Sequence, residues 1–168
     1  SRPEEVTWAR FLAAASGAAV LLLGLYLCSL HSYLLFHSIA ETFSLVVAFG
    51  IFMVGWNSRR FLENKYFLFL GIAYPFVGLL DLVHTLAYQG MNVFSGLGSN
   101  TATELWIAAR GMESLSLLLA ALFVRRGLRL APLVLGYACV TALLLGAVFH
   151  WDVFPDCFIE GRGLTPFK

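Results

Sequence analysis

The chain has 168 residues, of which 60% are hydrophobic and 12% charged, with a formal net charge of +1. A soluble domain runs near 45–50% apolar and about 25% charged, so a water-soluble globule is excluded and an integral membrane protein is predicted. The near-neutral charge gives no basis for a nucleic-acid surface, and three cysteines, Cys28, Cys139 and Cys157, two of them in apolar runs, imply no disulfide framework.

Five apolar segments follow in order, at about 9–30, 38–57, 66–88, 103–124 and 130–149. Each is close to the ~20 residues that carry a helix across ~30 Å of hydrocarbon. The first follows Arg2 and Arg10 and has the look of a signal peptide. Its length and the absence of a small-x-small cleavage site in "CSLHSYLLFHS" make it a retained span. Ala13 and Gly17 in this span, and Ala138, Ala142 and Gly146 in the fifth, have the four-residue spacing of close helix contacts.

In the second span His37 and Glu41 share a face if the helix already includes residue 37. Glu41 also follows Ser38 by three, a capping-box spacing. The third span contains Pro75, which removes a helical hydrogen bond and is expected to kink the helix about one and a half turns before Asp81. Asp81 and His84 lie three apart on one face. In the fourth span Trp106, Arg110 and Glu113 form another single-face stripe, while Glu104 stands in capping relation to Thr101.

The connections alternate in charge. Segment 57–65 holds Arg59, Arg60 and Lys65, and segment 125–129 holds three arginines, whereas 31–37 and 89–102 hold no Lys or Arg. The positive-inside rule places the N-terminus, 57–65 and 125–129 in the cytoplasm and 31–37, 89–102 and 150–168 outside. Trp8, Trp56 and Trp151 fit an interfacial belt, as do His31 and His150. Five spans from a cytoplasmic start leave Lys168 outside, and further spans are expected beyond it.

The ionisable residues within spans are His37, Glu41, Asp81, His84, Arg110 and Glu113. At 1.5 Å per residue, Asp81 and Arg110 lie roughly 10 Å deep, Glu113 roughly 15 Å, and His84 and Glu41 roughly 5 Å. All six fall in the outer half. Polar stripes in spans turn to the bundle interior, so one outward-opening cavity between spans two, three and four is expected.

Several chemistries use these atoms. Arg110 can pair with Glu113 or with Asp81 as structural glue. Glu41, Asp81, His84, Trp106, Arg110 and Glu113 can form a ligand pocket, with Arg110 and Trp106 suited to a small anionic or amphipathic molecule. His37, Glu41, Asp81 and His84 offer two nitrogens and two oxygens to a divalent metal, although no HExxH or CxxC pattern supports it. A haem between His37 and His84 is a weaker variant, since no attachment motif marks one. Protonation of Asp81 or Glu113 would make a pH sensor. No activated nucleophile, phosphate-cradling loop or catalytic motif is visible. Transport is an alternative, but the polar set stops at mid-membrane.

The segments "FHSIAETFSLVVAFGIFMVGWN", "YFLFLGIAYPFVGLLDLVHTLAYQGMNVF", "TELWIAARGMESLSLLLA" and "FPDCFIEGRGLTPFK" together resemble the bacterial membrane-associated sensor domain of the third type, one of the MASE group. The resemblance covers roughly residues 31–168. It implies an N-terminal sensory region of a bacterial or archaeal signalling protein, followed by a cytoplasmic output module in cis such as a histidine kinase or diguanylate cyclase. It also implies a homodimer in the inner membrane. No binding residue is carried over from the family.

The expectation is therefore an all-α, polytopic transmembrane helical bundle of five spans. Residues 1–168 would form a single sensory domain without catalysis of its own, sensing a small ligand, metal or proton. Its partners would be the bilayer, an output domain, a second copy and an unknown small ligand. An intramembrane metal or haem protein, or a small-molecule transporter, is the alternative.

Overall fold

A computed structural model describes residues 3–61, 65–94, 96–124 and 127–168. Arg2, Arg125 and Arg126, on which part of the expected orientation rests, lie outside the described residues, as do 62–64 and Ser95. The fold is all-α: α1 Pro3–His31, α2 Tyr33–Ser58, α3 Lys65–Ala87, α4 Ser99–Ala121 and α5 Leu130–Phe149, followed by a short hairpin, β1 Phe158–Ile159 and β2 Gly163–Leu164. It is a helical membrane protein. Among the described residues, four helices (α1 over Thr7–His31, α2, α3 and α5) are long and apolar enough to cross a bilayer. The fourth, α4, carries Glu104, Arg110 and Glu113 and falls short of that standard on composition.

The chain divides into two compact units, residues 1–40 and 41–168. In the first, helical hydrogen bonding runs on where a connection was expected. The Ser32 amide donates to the Cys28 carbonyl at 2.9 Å and the Phe36 amide to the Ser32 carbonyl at 3.0 Å. Segment 31–37 contains neither glycine nor proline to break the helix. Ser38 Oγ donates to the Leu34 carbonyl at 2.8 Å, so Ser38 is an interior helical residue and not the cap its spacing with Glu41 suggested.

The second unit is built around α3 and α4, joined by 88–98, a connection in which Gly90 sits at φ 102°. The pairs Asp81–Arg110 and Tyr74–Glu113 show that the two helices run antiparallel. Their shared face is a stripe of mostly small and branched residues: Val77, Leu80, Ala108, Ala109 and Met112 in one cluster, and Ala87, Ala102 and Leu105 in another, which Val148 of α5 joins. A third cluster of Phe69, Leu70, Ala73 and Ala120 packs under Phe123 and Tyr137. Pro75 lies within α3, which continues through it.

Gly55 of α2 and Gly71 of α3 approach each other closely. A Cβ on Gly55 would lie 3.0 Å from Gly71 Cα and 3.2 Å from the Phe67 carbonyl oxygen, so a larger residue would push the two backbones apart by a few tenths of an ångström. Gly146 has a different use from the helix contact its spacing suggested. The Trp151 ring folds back on it, 2.8 Å from where its Cβ would be, and the amides of His150 and Trp151 donate to its carbonyl.

Candidate functional site

Crossing α3 against α4 brings charged residues from different helices together. Asp81 is 4% exposed, and its Oδ2 is hydrogen-bonded to Arg110 Nη2. Arg110 Nη1 donates to Glu113 Oε2 at 2.6 Å, one turn further along α4. Tyr74, two turns from Asp81 on α3, donates its hydroxyl to Glu113 Oε1 at 3.3 Å. The guanidinium thus bridges two carboxylates on two helices, the forked geometry for which arginine is suited. The bridge leaves capacity unused: Asp81 Oδ1 and Arg110 Nε are both buried without a hydrogen-bond partner among the described residues. Buried polar atoms are nearly always satisfied, and each exception calls for an explanation: strain, a bound water or ion, or a functional role.

His84, one turn after Asp81, is 5% exposed. Its Nδ1 lies 2.7 Å from the Ala102 carbonyl oxygen, which can only accept, so Nδ1 carries the proton in that bond. Nε2 is directed toward Glu41 Oε1, 3.9 Å away. Thr85 is held by its own helix, donating to the Asp81 carbonyl at 2.8 Å.

Of the residues selected from sequence, Glu41, Asp81, His84, Arg110 and Glu113 thus form two adjoining contacts in the second unit, Glu41–His84 and Asp81–Arg110–Glu113. Of the four metal-ligand candidates, Asp81 is engaged by Arg110, whereas Glu41 and His84 face each other. His37 belongs to the first unit, where its ring stacks on Tyr33 at 6.3 Å between centroids. Trp106 lies one turn before Arg110, with the Lys168 ammonium 4.7 Å over its ring.

The sequence reading missed Tyr74, Asn100 and Lys168. Asn100, in the first turn of α4, ties the 150–168 segment to the helix. Its Nδ2 donates to Glu104 Oε1 at 2.8 Å and to Asp156 Oδ1 at 2.9 Å, and its Oδ1 accepts the amides of Cys157 and Phe158. Glu104, expected to cap the helix with Thr101, is instead a buried partner of Asn100; the N-cap is Gly98, three residues before Thr101. Cys157 is fully buried, and burial, aided by nearby Glu104, pushes its thiol pKa up while Lys168 opposes this. The spacing of Asn100 to Glu104 is local, but no local sequence signal marks the role of Asn100 in holding the later segment, because those three partners lie 56–58 residues away.

The sequence matches the membrane-associated sensor domain family, MASE3, over residues 28–168. No curated protein and no solved structure matches the chain.

Proposed function

The chain belongs to the membrane-associated sensor domain family, and we propose that its stimulus acts on the Asp81–Arg110–Glu113 bridge and the adjoining Glu41–His84 contact. The observation that carries this is the bridge with spare capacity. One guanidinium holds two helices through two carboxylates, yet a buried acceptor, Asp81 Oδ1, and a buried donor, Arg110 Nε, have no hydrogen-bond partner among the described residues. A small polar ligand offering both a donor and an acceptor would satisfy those atoms and shift the balance of the bridge. Trp106, one turn along α4 from Arg110, supplies an aromatic wall.

In this reading the domain is a multi-pass input module of the inner membrane, with its N-terminus in the cytoplasm and the site in the outer half. It acts as a homodimer on a histidine kinase or diguanylate cyclase module in cis. It carries no catalysis of its own, and it reports by altering the packing of α3 against α4.

The test uses the full-length protein in membrane vesicles, with output read as autophosphorylation or cyclic-dinucleotide synthesis. Arg110→Lys and Asp81→Asn, which keep volume but lose the fork, are expected to fix output at one level whatever small polar molecules are added. Wild-type responses in both variants would remove the bridge from sensing.

A second reading is favoured by Glu41 and His84 facing each other at 3.9 Å. A divalent metal, at about 2.0–2.2 Å from nitrogen and oxygen ligands, would sit between them after a small closure. Elemental analysis of the purified protein, with His84→Ala as the comparison, decides it; metal-free wild type ends this reading.

A further inference from the structure

The chain leaves α5 through Asp152, whose φ of 50° turns the backbone, and residues 154–168 fold back along α4. Phe154 packs against both clusters that α3 and α4 share, and Phe167 meets the Phe154 ring edge-on at 6.1 Å. Asn100 holds Asp156, Cys157 and Phe158 by three hydrogen bonds. Further along α4, the Lys168 ammonium covers one face of the Trp106 ring.

The segment buries little of itself. Within 150–168 only Cys157 is buried, while Leu164 is 60% and Phe167 53% exposed. Many of its hydrogen bonds are internal. Phe158 pairs with Leu164 and Ile159 with Gly163 across the hairpin. Thr165 donates its hydroxyl to the Asp156 carbonyl at 2.7 Å and its amide to the Cys157 carbonyl at 3.1 Å. A segment that keeps its own hydrogen bonds and has few buried contacts can detach as a body, ahead of the helices beneath it.

The attachment at Asn100 is itself under tension. The side-chain amide gives hydrogens to Glu104 Oε1 at 2.8 Å and to Asp156 Oδ1 at 2.9 Å. One neutral group thus draws together two carboxylates, one on α4 and 3% exposed, the other on the folded-back segment. When both are ionised they repel each other, and Asn100 holds the junction shut against that repulsion.

We propose that residues 154–168 are a strap, buckled by Asn100, that opens and closes over Trp106. Closed, the strap keeps the Lys168 ammonium on the indole face; open, it uncovers that face. This rests on the reading of Trp106 as a wall of the ligand site, one turn from Arg110: a ligand uses that wall only with the strap released.

The test requires neither ligand nor output, so its result is separate from whether the charged bridge senses anything. The full chain is placed in vesicles of phosphatidylethanolamine and phosphatidylglycerol, with every tryptophan except Trp106 replaced by phenylalanine. The rate constant for quenching of Trp106 fluorescence by acrylamide, a neutral quencher, is then measured. Asn100→Ala and Lys168→Ala should each raise it severalfold. Asp156→Asn keeps an acceptor for Asn100 and removes the repulsion, so it should lower quenching below that of the parent. If the tryptophan replacements disturb folding, hydrogen exchange on the protein with its tryptophans intact serves. Peptides from 154–168 should then exchange well ahead of 102–112, and Asp156→Asn should slow the amides of Cys157 and Phe158. Exchange of the strap only in step with α4 overturns the proposal. So does quenching that the three substitutions leave unchanged, or that Asp156→Asn raises.

Discussion

Asp81 and Arg110, 29 residues apart, meet across the α3–α4 crossing, and the same guanidinium reaches Glu113 one turn away. The pair links the two helices and brings Asp81, Arg110 and Glu113 together. Its components are unequally buried: the Asp81 side chain is 6% exposed and that of Arg110 36%. Removing the cation therefore leaves the more deeply buried partner uncompensated.

Arg110→Gln is expected to destabilise the protein by about 1–3 kcal/mol. That is below the ~3–5 kcal/mol of a fully buried pair, because the guanidinium is partly open and therefore screened. Adding Asp81→Asn to Arg110→Gln should recover part of the loss. Denaturant titration in detergent micelles, arranged as a double-mutant cycle, measures the coupling; strict additivity would show that the pair contributes nothing.

Gly55→Ala and Gly71→Ala should each cost about 1–3 kcal/mol, since the new methyl meets backbone that can yield only if α2 and α3 separate. Gly50→Ala, with open space at its Cβ, should instead be neutral or stabilise by about 0.4–1 kcal/mol through helix propensity and the unfolded chain. Thermal unfolding of the three variants side by side separates steric crowding from propensity.

Asn100→Ala removes the three hydrogen bonds that hold residues 156–158 against α4, and a fourth to Glu104. The buried Cys157 thiol, its pKa raised by burial, should react slowly with a maleimide in the parent protein and much faster in the variant. The measurement is made with Cys28 and Cys139 replaced by serine. An unchanged alkylation rate would mean that contacts other than those of Asn100 hold the segment.

His84→Ala leaves the Ala102 carbonyl without its buried donor and should cost about 1–3 kcal/mol. In His84→Asn the side-chain amide can take over the role of Nδ1–H and restore part of the stability. Chemical unfolding of both variants tests whether His84 is held chiefly through Nδ1; equal losses would argue against that.

Much of the site was legible before any coordinates. Helical periodicity put Asp81 with His84, and Arg110 with Glu113, on common faces. The cost of charge in hydrocarbon turned those faces toward each other. Asp81–Arg110 and Arg110–Glu113 stood as alternatives, and the structure contains both. Spacing misled where a local motif competes with the actual start of a helix. Ser38 with Glu41 and Thr101 with Glu104 both match a capping box, but α2 begins at Tyr33 and α4 at Ser99, so neither pair stands at a helix start.

Composition and apolar run length alone determined that this is a helical membrane protein, because each depends only on residues near in sequence and on the price of polar groups in lipid. The family, too, was recognisable from four segments in order. Tertiary structure decided which groups meet: His84 on the Ala102 carbonyl, Tyr74 on Glu113, Asn100 on the amides of Cys157 and Phe158, Gly55 against Gly71. Each of these depends on the axial register and rotation of one helix against another. Those are set by the interlocking of whole faces, such as Val77 and Leu80 with Ala108, Ala109 and Met112, and no local pattern encodes them.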